Sequence, residues 1–435
     1  MKSTRAGAAA LGLLGLALVA LAAPGPDLVP GAGADTPRWV LGVFGDGLGL
    51  DGREYLAVLY VAFAAYLVAA WAAPALGGRA IRWAVIAGVV VFALAPPLLS
   101  LDVFSYVSYG RQQVEGLNPY DFAPADIPGD AAAARVRDYR DAVSVYGPLF
   151  SALSYPLALL GPEAAVWAMK ALAALSALAL VAVSARLAVA RGLDPARTAA
   201  LVGLNPILLV HGVGGAHNDV LMTLGVVAGA WLLADGRAGT AGASLAAAVA
   251  VKAAAALAAP FALLGAIRTA SRPPRPPSVE KRPTMGRNST FGGARRLVAG
   301  GVAAAGALGA FALLAYGASA VEALDVLGGS QDRISRYSVP ATLARGSGVD
   351  VDPVRSVFVA LFAAAVLLLL WRTWRGMDWI RAAGWATLGL LLATAYLTPW
   401  YVLWALPFAA VSRDRALLGL TLALAAYQLV NAVPL

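Results

Sequence analysis

A carboxylate stands where a greasy run gives way. It is Asp102, in the stretch SLDVFSYVSYGRQQVEGLNPYDF that runs from Ser100 to Phe122. A single carboxylate beside a membrane-like run can serve as general base toward a hydroxyl nucleophile. Tyr106, Tyr109, Arg111, Asn118 and Tyr120 follow it, and Tyr146 heads the next apolar stretch. Together they offer donors, acceptors and flat rings, the groups that bind sugars by hydrogen bonding and by stacking on C–H faces. Tyrosine alone would signify only an interfacial belt. The combination of Asp102, Arg111 and GLNPY points further.

Three more groups carry charge or rings. GVGGAHNDVLM holds His217, Asn218 and Asp219 at the start of an apolar run. An Asn or Asp there suits a helix N-cap, and a helix N-terminus favours anions. Lys252 lies inside an apolar run, where a lysine marks a functional site by default and could face a lipid-linked phosphate. QDRISRYSVP supplies Arg333 and Arg336, three residues apart and suited to a phosphate or a sugar, with Tyr337 and Ser338 beside them. In YLTPWYVLWALP, Trp400 and Tyr401 could wall a groove, while Trp404 reads as a membrane anchor. His217, Lys252, Arg333 and Arg336 form the expected phosphate-binding set; the remaining groups form the sugar- and acceptor-binding set. No second cluster of metal-ligand residues converges on His217, so no metal site is expected.

The elements that must position these groups are membrane helices. The chain has 435 residues, 60% hydrophobic and 13% charged, against about 25% charged in a soluble domain. Its mean hydropathy is +0.73. The apolar residues recur in blocks of about 20, the length that crosses a bilayer as helix. Spans are expected near 7–23, 54–75, 80–101, 163–189, 197–211, 218–234, 238–251, 253–267, 297–317, 354–371, 382–397, 399–411 and 416–433. The fold class is therefore an all-α polytopic membrane protein with about 11–13 spans, some broken or re-entrant, forming a single domain over 1–435. The first span has a basic start and an apolar core and resembles a signal peptide; it is read as an uncleaved anchor. There is no cysteine, hence no disulfide or thiolate metal site.

The net charge of +9 comes from topology, not from nucleic-acid binding. With the N-terminus in the cytoplasm and sides alternating, the cytoplasmic side carries 21 of the 33 Lys and Arg but only 5 of the 24 Asp and Glu. That bias fixes the orientation. Residues 102–146 become the first catalytic outer loop, 320–352 the second, and 268–296 a basic cytoplasmic linker. The stretch Thr240–Ile267 is too long for one span and too short for two full ones. Two short helices meeting near Lys252 resolve this and leave the lysine at a break on the outer side. Tyr146–Gly161, interrupted by Pro148 and Pro156, reads as an interfacial or re-entrant helix.

All the polar groups then gather at the outer boundary. No Walker-type phosphate loop occurs in the chain, and no Gly-rich motif set between a strand and a helix as a dinucleotide fingerprint requires. A sugar donor on that face should arrive on the membrane itself, as a polyprenyl phosphate. One displacement by a hydroxyl needs one base and inverts the anomeric centre, whereas hydrolases use two carboxylates. Cations can provide the electrostatic stabilisation that a metal often provides.

LDVFSYVSYGRQQVEGLNPYDF, VYGPLFS, GLNPILLVHGVGGAHNDVLM, AVAVKAAAALAAPF and YSVPATLA together resemble the polyprenyl-phosphomannose-dependent α-1,6-mannosyltransferases of actinobacteria. Those are C-type integral-membrane glycosyltransferases. The resemblance runs in order from about Leu101 to Trp404. It implies a mannosyl donor on a polyprenyl phosphate, a glycan or lipoglycan acceptor such as lipomannan, metal independence, and Asp102 as the base. Two alternatives stand beside it: a transferase for another polyprenyl-phosphate sugar, and a transporter or flippase for a lipid-linked sugar. A flippase should spread its charges along a path near the midplane. A non-catalytic scaffold would not need Asp102, Lys252 and Arg336 to converge.

Overall fold

A computed structural model of the chain describes residues 7, 29–30, 36–41, 43, 49–137, 139–269, 291–321, 333–431 and 433. The expected first span, most of the 268–296 linker, and residues 322–332 of the second outer loop lie outside the described residues.

The described chain is helical, without strands. In order come α1 (Arg38–Leu41), α2 (Gly52–Leu76), α3 (Gly78–Leu94), α4 (Asp102–Val114), α5 (Pro148–Ala158) and α6 (Pro162–Ala190). Then follow α7 (Pro195–Gly203), a π-helical segment (Ile207–Gly214), α8 (Asp219–Ala234), α9 (Ala238–Val251) and α10 (Ala258–Thr269). The last are α11 (Gly292–Tyr316), α12 (Val339–Ser347), α13 (Val351–Arg375), α14 (Trp379–Ala393), α15 (Val402–Val411) and α16 (Arg415–Gln428). Among the described residues, α2, α6, α11 and α13 are each long and apolar enough to cross a membrane. The pair formed by α7 and the π-helical segment, bent by 56°, is together long and apolar enough to form a broken span or a re-entrant loop. The other expected spans are shorter than a full crossing. Proline and polar breaks cut them, and broken helices persist at membrane depth only where protein surrounds them. At the other extreme is α13, of whose side chains only Thr373 is buried.

Helices alternate direction, so loops gather at two ends. One end carries 98–102, 215–219, Lys252, 333–338 and 394–401. The other carries 191–197, 235–237, 376–381 and 412–415, rich in arginine. Three acids at this basic end serve the backbone. Asp194 accepts from Arg197 N–H at 2.7 Å, Asp378 from Arg381 N–H at 2.9 Å, and Asp414 from Leu417 N–H at 3.1 Å. Each caps a helix whose first amides would otherwise lack partners. Arg191 bonds Asp378 at 3.0 Å and Arg381 bonds Asp414 at 2.6 Å, tying these loops together.

Two breaks shape the site end. The chain leaves α3 through Ala95–Pro96–Pro97 and turns at Leu99, whose φ is 55°. It leaves the π-helical segment through Gly214 and turns at Ala216, with φ 57°. Left-handed backbone at such residues costs energy and persists only when the surroundings enforce it. Lys170 of α6 enforces it here. Fully buried, its ammonium donates to the carbonyls of Gly214 (2.6 Å), Phe92 (3.2 Å), Val213 (3.4 Å) and Pro96 (3.5 Å). One cation thus satisfies the carbonyls that both broken ends expose.

Small residues set the spacing elsewhere. A methyl group added to Gly242 of α9 would collide with the Leu297 carbonyl of α11, so only glycine lets these helices approach this closely. Gly147 plays the same part beside the Ala250 backbone, and its N–H donates to Val251 O at 3.1 Å. That bond seats the start of α5 against the end of α9, next to Lys252. The expected interfacial helix is α5, an 11-residue segment whose buried face carries Phe150, Ser151 and Ser154.

Gly242→Leu should separate α9 from α11 and cost about 1–3 kcal/mol, the usual range for overpacking. A circular-dichroism melt of the purified protein in detergent should show a lower midpoint than Gly242→Ser. An equal midpoint for the two variants would remove the close-approach explanation.

Candidate active site

Lys252 sits where α9 stops. Its φ of −155° and ψ of 125° are extended, and a tight turn over Ala253–Leu257 follows before α10. The break that the length of Thr240–Ile267 requires is therefore present. It aims the lysine at the N-terminus of α8. There Lys252 Nζ donates to Asp219 Oδ1 at 2.8 Å, and Trp404 Nε1 donates to the same oxygen at 2.7 Å. The ammonium also lies 4.6 Å from the ring centre of Tyr401 and 5.3 Å from that of Trp404. Those two rings stack at 4.2 Å. Asp219 is fully buried, while 18% of the Lys252 side chain stays exposed. An ammonium has three protons, so this one has donor capacity left for a ligand.

Asp102 is the first residue of α4. Its own N–H donates to Ser100 Oγ at 3.2 Å, and 21% of its side chain is exposed. Its Oδ2 lies 3.4 Å from Nδ1 of His217, a contact outside good hydrogen-bond geometry. His217 is fully buried and stacks on Trp400, with ring centres 3.5 Å apart. Below the rim, buried polar atoms wait without partners: both side-chain atoms of Asn218, Oδ2 of Asp219 and both ring nitrogens of His217. Buried polar groups are nearly always bonded, so such a concentration marks a place that a polar ligand completes.

Tyr139 joins the two halves. Its hydroxyl shares a hydrogen bond of 2.8 Å with Tyr396, and Arg333 lies 4.3 Å from its ring centre. The charges of Asp102, Arg333 and Lys252 all act on it. Burial, and then the negative charge of Asp102, raise its phenol above the ordinary tyrosine value, so it remains a neutral donor. The site thus presents the Asp102 carboxylate beside His217, the Lys252 ammonium beside Asp219, Tyr401 and Trp404, and the Arg333 guanidinium over Tyr139.

The structure brings together Asp102, His217, Asn218, Asp219, Lys252, Arg333, Trp400 and Tyr401 of the expected set. Tyr106 lies directly beneath, buried, with its ring edge-on to Tyr146 at 5.0 Å and its hydroxyl between Tyr146 and the Asn218 backbone. Several other expected ligands are committed elsewhere. Arg111 bonds Glu115 at 2.9 Å and Asp130 at 3.0 Å, which folds the loop back onto α4. Asn118 shapes its own turn through Asp121 and reaches the Tyr316 carbonyl at 2.9 Å. Tyr120 is held by the Tyr146 carbonyl and Ser151 Oγ, and Tyr109 by the Ala142 carbonyl at 2.9 Å. Ser338 caps α12 by accepting from Ala341 N–H at 3.3 Å. Arg336 is exposed and turns to the ring of its neighbour Tyr337, whose carbonyl accepts from Gln428; neither is brought to Asp102. The expected cap at 218–219 is absent too, because Asn218 makes no side-chain capping bond and Asp219 is taken by Lys252. Among the described residues, no three His, Asp or Glu side chains lie close enough to hold a metal ion.

Residues 9–268 match the family model of the alpha-(1->6)-mannopyranosyltransferase N-terminal domain, which is more than half of the chain. The chain belongs to the alpha-(1->6)-mannopyranosyltransferase family. Residues 145–407 of this family member also match the model of glycosyltransferase family 87. The two matches together take in Asp102, His217, Asp219, Lys252, Trp400 and Trp404. Among related proteins, alpha-(1->6)-mannopyranosyltransferase A of Corynebacterium glutamicum is 31% identical over 162 residues, 37% of this chain and 33% of that protein. An alpha-(1->6)-mannopyranosyltransferase of Mycobacterium tuberculosis is 30% identical over 135 residues, 30% of this chain and 23% of that protein. The matched stretch thus spans a third or less of the length of these relatives. No solved structure matches the chain. Membership and the apolar helices together make it a multi-pass membrane protein.

Lys252→Met should strand the buried Asp219 carboxylate and cost about 3–5 kcal/mol. Adding Asp219→Asn should recover most of that loss, because no charge is then left unpaired. Thermal melts of the two single variants and the double variant test the pair; strictly additive losses would mean that the two side chains act independently.

Proposed function

We propose that this chain transfers a mannosyl residue from a polyprenyl-phosphate-mannose donor to a hydroxyl of a glycan or lipoglycan acceptor. Asp102 accepts the proton of that hydroxyl. The oxygen attacks the anomeric carbon, the bond from that carbon to the phosphate oxygen breaks, and polyprenyl phosphate leaves with the electron pair. Attack from the opposite face inverts the centre. Lys252 and Arg333 neutralise the charge that grows on the departing phosphate, and Tyr139 donates to an oxygen beside it. His217 and Asn218 bind the sugar over the indole of Trp400.

The observation that carries this reading is the convergence of a part-exposed carboxylate and a part-exposed ammonium on one turn, Asp102 at 3.4 Å from His217 and Lys252 at 2.8 Å from Asp219. Family membership favours glycosyl transfer over a scaffold. A flippase would need charge along a path through the bundle. The one lysine buried within a span, Lys170, is instead fully occupied by backbone carbonyls. The extracytoplasmic placement of the site draws its support from charge, since the opposite end carries the arginine-rich loops. Metal independence rests on the two cations as electrostatic substitutes.

Asp102→Asn should lower transfer by about 10²–10⁴, the usual worth of a general base. Binding of the donor should persist. Purified protein incubated with radiolabelled polyprenyl-phosphomannose and an α-mannan oligosaccharide gives the rate and the product linkage; near-normal turnover in the variant would remove the base. Wild-type activity should survive excess EDTA. Loss of activity that Mn²⁺ restores would overturn the metal-free step.

A further inference from the structure

A hollow opens beside Leu101, the residue before Asp102. It has a volume of roughly 370 Å³ and is lined by Pro30, Pro37, Trp39, Leu101, Arg135 and Arg137, among others. That volume falls in the range of small-ligand sites. Leu101 immediately precedes Asp102, so one wall of the hollow is continuous in the chain with the residue that carries the carboxylate. Buried Phe104 of α4 backs two of the lining residues. Phe104 meets the Trp39 ring edge-on at 6.5 Å, and the Arg135 guanidinium lies 5.7 Å from the Phe104 ring and 6.0 Å from that of Trp39.

The lining is built rather than incidental. Trp39 is fixed from behind, because its carbonyl accepts from Trp167 Nε1 of α6 at 3.1 Å. Arg135 is half-buried, Arg137 is exposed, and neither has an ion-pair partner among the described residues. An indole with two guanidinia is the chemistry of a saccharide site. The ring takes a C–H face, and the guanidinium donors take hydroxyls. The strip of loop that supplies Arg135 and Arg137 continues to Tyr139, which belongs to the cluster with Lys252 and Arg333. The hollow is therefore linked to the Lys252 cluster by this loop and by Leu101, the residue before Asp102.

We propose that the Trp39–Arg135–Arg137 hollow receives the non-reducing end of the acceptor, an α-linked mannose oligosaccharide, free or lipid-anchored. It rests on the reading of Asp102 as the base for glycosyl transfer. The donor occupies the Lys252 side, the acceptor the Trp39 side, and the attacking hydroxyl points across Leu101 to Asp102.

The test uses the full chain in nanodiscs with α-1,6-mannobiose as probe. Trp39→Ala and Arg135→Met should each raise the acceptor KM about tenfold, the scale of one lost stacking or cation contact. The donor KM should not move. Trp39→Phe, which keeps a ring, and Arg135→Lys, which keeps the charge, should restore most of the affinity and exclude a folding failure. Saturation-transfer NMR should show mannobiose bound to the wild type and lost from Trp39→Ala. An unchanged acceptor KM in both truncations, with transfer intact, overturns the hollow and leaves the reaction standing. Mannobiose binding that depends on Trp39 in a protein without transferase activity supports the hollow and overturns the reaction. Absence of mannobiose binding to the wild type also overturns the hollow.

Discussion

A carboxylate removed from water needs a cation at hydrogen-bond distance, and Asp219 meets that need through Lys252. Neither residue can be positioned without the interruption between α9 and α10. An unbroken helix through 238–269 would carry the lysine past the N-terminus of α8. The break costs backbone hydrogen bonds, and Gly147 recovers one of them by donating to the Val251 carbonyl. The ion pair, the end of α9 and the start of α5 therefore support one another. The rings of Tyr401 and Trp404 complete the enclosure and bring the loop before α15 into register with it.

The other half of the site depends on Lys170. Its four carbonyl partners come from the two chain breaks that lead to Asp102 and to His217. Asp102 and its neighbouring imidazole are thus located by the same ammonium, although they lie 115 positions apart in sequence. The left-handed turns at Leu99 and Ala216 are held from below by this arrangement.

Much of this was legible in the residues themselves. Membrane helices follow from hydropathy, and the break at Lys252 follows from a stretch whose length fits neither one crossing nor two. Charged and imidazole groups within apolar surroundings stand out, so Asp102, His217, Asp219 and Lys252 could be picked from the sequence and are found together. What could not be read was the commitment of polar side chains in the first outer loop. Arg111, Asn118 and Tyr120 have the composition of a sugar site but hold the loop together, because their partners, Asp130, Tyr316 and Ser151, come from folding alone. Tyr139 was invisible for the converse reason. It lies in a loop without periodicity, and only its proximity to Tyr396 and Arg333 distinguishes it. Trp404 has the look of an interfacial anchor, yet its indole N–H is spent on Asp219. The short span expected at 238–251 matches α9, whereas those at 80–101 and 416–433 are too long, because α3 stops at Leu94 before Ala95–Pro96–Pro97 and α16 stops at Gln428.

The three aspartates that cap α7, α14 and α16 all lie at the arginine-rich end. The insertion machinery weighs lysine and arginine and gives carboxylates little heed. Acids can therefore be set wherever an amide needs an acceptor without blurring the instruction that orients the chain. Biogenesis and helix termination are written in opposite charges on the same short loops, and neither message garbles the other.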